Sequence, residues 1–98
     1  MSVESNMVGY YAQRAQEYER IYEKPERQEN LRTLRAFVER TFSGKHVLEV
    51  ACGTGYWTAI LSRSAASITA IDINETVLEI ARTKPLDRQR VFFQHADA

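Results

Sequence analysis

The order of helical and apolar segments predicts an α/β protein built on a parallel sheet. Three short β-prone runs alternate with two helical segments in the second half of the chain, and a charged stretch without glycine precedes them. Alternation of this kind forms parallel sheets through right-handed crossovers. We therefore expect three strands in the order 3-2-1, with N-terminal helices that cover one face.

Length and composition fit one small globular unit. The 98 residues carry 13 Lys and Arg against 13 Asp and Glu, and 44% are hydrophobic. These values disfavour disordered and disulfide-scaffold classes, and zero net charge gives no support to nucleic acid binding. No apolar stretch approaches the roughly 20 residues of a membrane span, and one cysteine cannot form an internal disulfide. We expect a cytoplasmic protein with no metal site and no nucleic acid or membrane partner.

Two helices are predicted before the first strand, and they meet near Pro25 because proline interrupts helices. The second has the clearer pattern, since its apolar residues recur at spacings of three and four and form one stripe. Ser43 and Gly44 supply its end. The stripe consists of Leu31, Leu34, Phe37, Val38 and Phe42.

The strands and their connections follow in order. Residues 47–51 are mostly apolar and run into a loop with two glycines at 52–55, which is typical of a buried strand followed by a tight turn. Helical spacing then returns until the second β-rich run, residues 67–73. Asn74 is suited to cap the next helix, and residues 91–94 form the third run. We place a helical cap at residues 1–44 and the first half of an α/β domain at residues 45–98.

Candidate ligand residues stand at the carboxyl ends of all three predicted strands, where the loops gather. Gly53 and Gly55 permit backbone torsions and close ligand approach that a β-carbon would block. Asp72, nineteen positions after Gly53, can accept hydrogen bonds from both hydroxyls of a ribose. Asp97, just beyond the third run, can accept one from an adenine amino group. Together these residues indicate a nucleoside site.

Each candidate also has an ordinary structural explanation. A lone Gly-x-Gly is commonly a turn, and an aspartate at a strand end is commonly a helix cap. Cys52 has no partner base nearby in sequence, so we interpret it as a small loop residue. We interpret His46 as a surface residue, His95 as structural or solvated, and Trp57 as part of a helix core.

The glycine pattern discriminates between adenosine cofactors. Dinucleotide binding requires Gly-x-Gly-x-x-Gly, and the third position here is Thr58. What the chain does carry at residues 47–58 is VLEVACGTGYWT, which resembles the first motif of class I S-adenosylmethionine-dependent methyltransferases, an acidic residue followed by a glycine-rich loop. The resemblance implies a Rossmann-like fold of which this chain holds the N-terminal part, an incomplete class I methyltransferase fold.

The resemblance implies a cofactor-binding role for each residue that matches the family. Glu49 matches the acidic residue that orients the methionine amino end, and Ala51 stands where the pattern often has glycine. Asp72 matches the residue that holds the ribose hydroxyls. Gly53 and Gly55 match the glycines of the loop. Ile73 matches an apolar residue that packs on adenine, and Asp97 matches an acidic residue that contacts adenine. Ala98 is expected to add a backbone contact with the same ring.

The N-terminal run YYAQRAQEYERIY is similar to the first helix of methyltransferases of the ubiquinone and menaquinone biosynthesis type. In that family, tyrosines of this helix close over the cofactor. The resemblance therefore implies roles for Tyr11 and Tyr18 in closure, and for Arg14 at the methionine carboxylate. Helix packing is the alternative explanation of these tyrosines.

The function implied is methyl transfer from S-adenosylmethionine to a small molecule, with S-adenosylhomocysteine as product and no catalytic base identified. Two alternatives stay open: a nicotinamide-dependent oxidoreductase fragment, against which Thr58 argues, and a truncated methyltransferase-like module that binds without catalysis. In the family the sheet continues beyond the first strand, which here would be an exposed edge. We expect the isolated chain to self-associate through that edge or to be part of a longer polypeptide.

Overall fold

A computed structural model describes Arg20 and residues 22–97 of the chain. Its three strands, β1 over His46–Val50, β2 over Ser67–Asp72 and β3 over Val91–His95, form one parallel sheet. The spatial order is β1-β2-β3, with β2 in the centre. The predicted α/β class and the predicted strand order are therefore confirmed.

The described helices precede the sheet or connect its strands. Helix α1 spans Gln28–Thr41 and follows a 3-10 turn at Pro25–Arg27, while α2 spans Tyr56–Leu61 and α3 spans Glu75–Arg82. The helix predicted before Pro25 falls almost wholly outside the described residues. In the part of the chain that the structure describes, no helix is long and apolar enough to cross a bilayer.

The strand register assigns the side chains to two faces of the sheet. Val47 is aligned with Ile68, which is aligned with Val91, and this row faces the helices. The next row lies on the opposite face, where Leu48 is 63% exposed and Phe92 is 50% exposed. The helices thus cover one face of the described sheet.

The core lies between that covered face and the helices. Leu61 comes from the end of α2 and Leu78 from α3, and both are buried against Ile68 and Val91. Complete burial of a side chain of this size stabilises a fold by about 1.5–3 kcal/mol. The core therefore fixes α2 and α3 against the sheet and so positions the loops that lead into them.

The apolar stripe predicted on α1 is only partly covered, and this prediction is wrong for two of its members. Leu31 is buried, and Val38 and Phe42 pack against the core, but Leu34 is 45% exposed and Phe37 is 54% exposed. At 3.6 residues per turn, the three covered side chains lie within about 40° of one another around the helix axis. Leu34 and Phe37 are rotated from Leu31 by about 60° and 120° in the same direction. The boundary placed between residues 44 and 45 stays a prediction.

Gly55 lies where the loop after β1 meets α3 and β3. Its φ is +86°, and a Cβ atom placed on it would be 3.2 Å from the Ala81 Cβ and 3.5 Å from the Phe93 Cζ. A side chain here therefore meets two obstacles, a left-handed backbone and a close contact. Gly44 meets only the first, because its φ is +71° and a Cβ there would have no neighbour within 4 Å.

Gly55→Ala should lower the free energy of unfolding by about 2–5 kcal/mol, since left-handed backbone and overpacking each contribute. Gly44→Ala, the matched control, should lower it by only about 1–2 kcal/mol. Urea denaturation followed by circular dichroism measures both. Equal losses in the two variants would contradict the packing role of Gly55.

Candidate functional site

The loop from Ala51 to Gly55 joins β1 to α2 through an unusual backbone path. The φ angles of Ala51, Gly53 and Gly55 are +57°, +59° and +86°, so every second residue is left-handed. The Cys52 N–H donates to the Ile71 carbonyl at 3.0 Å, which holds the start of the loop against β2. For Ala51 the left-handed conformation costs about 1–2 kcal/mol, which is a physical reason for the glycine that the sequence resemblance expects there.

Asp72 joins this loop to the loop after β2. One carboxylate oxygen accepts from the Gly53 N–H at 2.9 Å, and the other accepts from the Asn74 N–H at 2.8 Å. Asn74 in turn accepts from the Thr76 N–H at 2.9 Å and caps α3, as predicted. A carboxylate has about four acceptor positions. Asp72 therefore stabilises both loops and keeps acceptor capacity for a ligand.

A cavity of about 150 Å³ opens beside Asp72, at the carboxyl ends of the strands. It is smaller than the roughly 300–1,000 Å³ of complete ligand pockets, so it has room for one part of a ligand. The structure brings four of the predicted site residues together around this space. The lining residues are Val50, Ala51, Ile71, Asp72, Ile73, Ala96 and Asp97.

The end of β3 is held beside this cavity by two bonds to the β2 side. The Ala96 N–H donates to the Asp72 carbonyl at 3.1 Å, and His95 Nε2 lies 2.7 Å from the Ile73 carbonyl. A carbonyl can only accept, so Nε2 is the donor. His95 thus has a structural contact that positions Asp97. His46, at the opposite end of the sheet, is exposed and pairs with the Ser67 hydroxyl at 2.6 Å.

Glu49 does not line the cavity. It shares a row with Ala70 and Phe93 and therefore lies on the face that the helices cover. Its Oε1 accepts a hydrogen bond from the hydroxyl of Thr58, a fully buried residue of α2. Burial raises the pKa of Glu49 above its ordinary value of 4.5, and the Thr58 hydrogen bond partly offsets that rise.

Cys52 is buried within the loop. Burial, reinforced by the negative charges of Glu49 and Asp72, raises the pKa of the thiol to about 12, although Arg82 acts in the opposite direction. A thiol that stays protonated near neutral pH is a poor nucleophile, in agreement with its interpretation as a loop residue. Two carboxylates, Glu49 and Asp72, therefore lie close enough to the loop to act on this thiol.

An aromatic cluster borders the start of α2. The Tyr22 and Tyr56 rings stack with centroids 3.9 Å apart, and Trp57 meets both edge-on. The Tyr56 hydroxyl accepts from Arg35 at 2.9 Å, which links α1 to α2. Trp57 is partly buried, and the ring contacts described for it are those with Tyr22 and Tyr56.

Some predicted residues lie outside the described part of the chain. They are Tyr11, Arg14, Tyr18 and Ala98, and their roles stay predictions. Among the side chains of Arg20 and residues 22–97, no group of three His, Cys, Asp or Glu could hold a metal ion.

Sequence reasoning missed the structural role of Thr58. In the sequence Thr58 stands out only as the departure from the dinucleotide fingerprint, whereas in the structure it is the partner of Glu49. A signal was present: Thr58 is a polar residue close to Trp57, Ile60 and Leu61 in a short helical segment. A buried hydroxyl requires a hydrogen-bond partner, and Glu49 was the nearest polar residue on the preceding strand.

Residues 47–98 match a protein family model described as a methyltransferase domain. The match begins in β1 and includes the loop, Asp72 and Asp97. A demethylmenaquinone methyltransferase of Staphylococcus aureus (strain MRSA252) is 40% identical over 58 residues, which are 56% of this chain and 24% of that protein. The enzyme of the same name from Clavibacter sepedonicus is 41% identical over 56 residues, 57% of this chain and 23% of that protein.

Among solved structures, a complex of DhpI with SAH superposes on this chain with a TM-score of 0.63 at 34% sequence identity. The alignment covers 91% of this chain and 42% of DhpI. The chain thus spans about a quarter of the curated relatives that it matches and less than half of this structural neighbour. These matches confirm the resemblance inferred from the sequence motifs. Since the family model matches more than half of its residues, the chain belongs to the methyltransferase domain family.

Proposed function

We propose that this chain is the cofactor-binding part of an enzyme that transfers a methyl group from S-adenosylmethionine to a small molecule. The observation that carries the proposal is the Asp72 carboxylate, which bridges two loops beside a largely apolar cavity. The named activity of the demethylmenaquinone methyltransferases and the SAH bound to DhpI support this choice of reaction and cofactor.

The residues around the cavity fit the nucleoside part of that cofactor. Asp72 retains acceptor positions for two ribose hydroxyls, because each of its oxygens accepts only one described hydrogen bond. Ile71, Ile73 and Ala96 offer apolar surface for an adenine ring, and Asp97 offers an acceptor for its amino group. We infer that Ala98 adds a backbone contact there.

The loop and Glu49 fit the methionine part. A Cβ atom on Gly53 would meet no protein atom within 4 Å, so the space beside this backbone is open to a ligand. The carboxylates of Glu49 and Asp72, both near the Cys52 thiol, suit a ligand with an ammonium and a sulfonium group. We infer that Tyr11 and Tyr18 close over the cofactor and that Arg14 binds its methionine carboxylate.

When bound, S-adenosylmethionine supplies a methyl group made electrophilic by its sulfonium. In the proposed function the residues described here bind and orient the cofactor. A methyl acceptor held in line with the sulfonium reacts faster through proximity alone. We infer a small-molecule acceptor, which the names of the relatives support. We also infer a cytoplasmic location, which the single, buried Cys52 supports.

Asp72→Asn should weaken the binding of S-adenosylhomocysteine by about 10- to 100-fold, the loss expected when a hydrogen-bonded carboxylate loses its charge. Isothermal titration calorimetry measures it. Asp87→Asn is the matched control, because Asp87 accepts from a backbone N–H two residues later, as Asp72 does, but precedes β3 at the other end of the sheet. It should bind as the wild type does.

Two results would contradict the proposal. One is the absence of S-adenosylhomocysteine binding by wild-type chain that unfolds cooperatively, and the other is equal binding by Asp72→Asn. An increase in NADH fluorescence on mixing, without S-adenosylhomocysteine binding, would favour the oxidoreductase alternative. Binding without methyl transfer by any longer form of the protein would favour the non-catalytic alternative.

Glu49→Gln should weaken S-adenosylhomocysteine binding yet stabilise the folded chain at pH 7. Because burial raises the pKa of Glu49, the folded state holds this proton to higher pH than the unfolded state. The free energy of unfolding of the wild type therefore falls as pH rises from 4.5 toward the folded-state pKa of Glu49. A glutamine at this position does not ionise, so the variant does not lose stability in this way. Thermal unfolding at several pH values should show the two proteins diverging as pH rises.

Glu79→Gln controls for the loss of one negative charge, since Glu79 is exposed on α3. Its melting temperature should keep a nearly constant offset from that of the wild type. A Glu49→Gln variant with the same constant offset would contradict the burial of the Glu49 charge.

We also propose that the 98-residue chain associates with itself through β1, which is an edge strand in the described sheet. Leu48 and Val50 of this strand are 63% and 53% exposed, and an exposed apolar edge favours pairing with another strand. No part of this inference depends on cofactor binding.

Analytical ultracentrifugation should find species larger than a monomer whose population rises with concentration. Leu48→Lys should shift the population toward monomer, because a charge on an edge strand opposes pairing. Leu34→Lys, at an exposed apolar position on α1, is the matched control and should not shift it. A monomeric wild type over the whole concentration range would contradict the proposal.

A further inference from the structure

The Thr58 side chain is one of the largest that are completely buried in the described chain. It lies in the first turn of α2, and its hydroxyl donates to Glu49 Oε1 on β1. Thr58 is polar, while its buried neighbours in α2, Ile60 and Leu61, are apolar. Burial of a hydroxyl is costly without a hydrogen bond, so the position of this threonine is coupled to the position of the carboxylate.

The hydrogen bond acts on one oxygen of Glu49 only. Within residues 22–97, Oε1 accepts from Thr58 and no described group donates to Oε2. Rotation of the carboxylate is restricted by a bond from a rigid helix position, since the Thr58 backbone belongs to α2 and its χ1 angle is limited by β-branching. The second oxygen, Oε2, therefore keeps its acceptor positions on a carboxylate whose rotation is restricted.

The charges around Glu49 leave it without a described cationic partner. Cys52 lies in the adjoining loop, and its thiol responds to Glu49, to Asp72 at the end of β2 and to Arg82 of α3. Arg82 is paired with Glu75. A half-buried carboxylate with a neutral hydrogen-bond donor and no close cation is suited to a cationic group brought by the ligand.

We propose that Thr58 is a positioning residue that aims the Glu49 carboxylate at the ammonium group of the ligand, and so gives the site its selectivity for adenosine compounds with an amino acid tail. The inference rests on the proposed function, because Glu49 needs a bound aminoacyl adenosine to act on. It goes further by assigning recognition of the tail to a pair of residues on β1 and α2, separate from the cavity around Asp72.

Two ligands separate this role from a general effect on the fold. S-adenosylhomocysteine carries the amino acid tail, and 5′-methylthioadenosine has the same nucleoside without it. Thr58→Val should weaken S-adenosylhomocysteine binding by about 10-fold and leave 5′-methylthioadenosine binding unchanged. Thr58→Ser retains the hydroxyl and should bind both ligands as the wild type does. Isothermal titration calorimetry on each folded variant measures the dissociation constants of both ligands.

A double-mutant cycle tests whether Thr58 acts through Glu49. In a Glu49→Gln background, Thr58→Val should cause a smaller loss of S-adenosylhomocysteine binding than it does in the wild type. The pH dependence is a second readout: loss of the hydroxyl removes the bond that lowers the Glu49 pKa, so the rise of affinity with pH should move to higher pH. If Thr58→Val does not fold, Thr58→Ala, a better helix former, replaces it in every comparison.

The outcomes are distinct. Equal loss of both ligands in Thr58→Val, or no loss of either, would overturn the positioning role while leaving the proposed function intact. Failure of the folded wild type to bind S-adenosylhomocysteine would overturn both. Selective loss of S-adenosylhomocysteine, restored by Thr58→Ser, is the result that we expect.

Discussion

The carboxylate of Asp72 receives one backbone N–H from each of the two loops that border the cavity. Hydrogen bonds to a charged acceptor are roughly twice as strong as neutral ones, so a single side chain holds the loop after β1 and the loop after β2 in fixed relation. The cavity, the cap of α3 by Asn74 and the position of Asp97 beside β2 all depend on that relation. The residue that we propose to bind the ribose is thus also the one that shapes the space around it.

Glu49 differs from Asp72, because its surroundings disfavour its charged form. Its burial raises its pKa and works against the charged form, and the Thr58 hydroxyl offsets only part of that penalty. A group kept under such conditions is costly to the empty protein, and the cost decreases when a cation arrives. In the proposed function the two carboxylates therefore differ in role: Asp72 organises the backbone of the loops, while Glu49 binds the positive charge of the ligand. Both also raise the pKa of the Cys52 thiol, for which burial is the largest cause.

Much of the fold was accessible from the sequence, because strand–helix alternation and the Asn74 cap depend on local patterns. Asp72 and Asp97 could be named because the carboxyl ends of parallel strands meet at one edge of the sheet, whereas Ile73 was named only through the family resemblance. What escaped prediction depends on contacts across the chain. Leu34 and Phe37 share the spacing of Leu31 but fall outside the arc that the core covers. Thr58 acquires its partner only when α2 folds back on β1, and the Tyr22–Tyr56 stack likewise joins distant segments.

That stack has a mechanical consequence. Tyr56 directly follows Gly55 and opens the helix turn that contains Thr58, while Tyr22 belongs to the segment that precedes α1. With the rings 3.9 Å apart and nearly parallel, a displacement of Tyr22 either separates the pair or shifts Tyr56 with it. The stack therefore opposes separation of Tyr22 from the first turn of α2, and so links the residues just before α1 to the helix that follows the loop after β1.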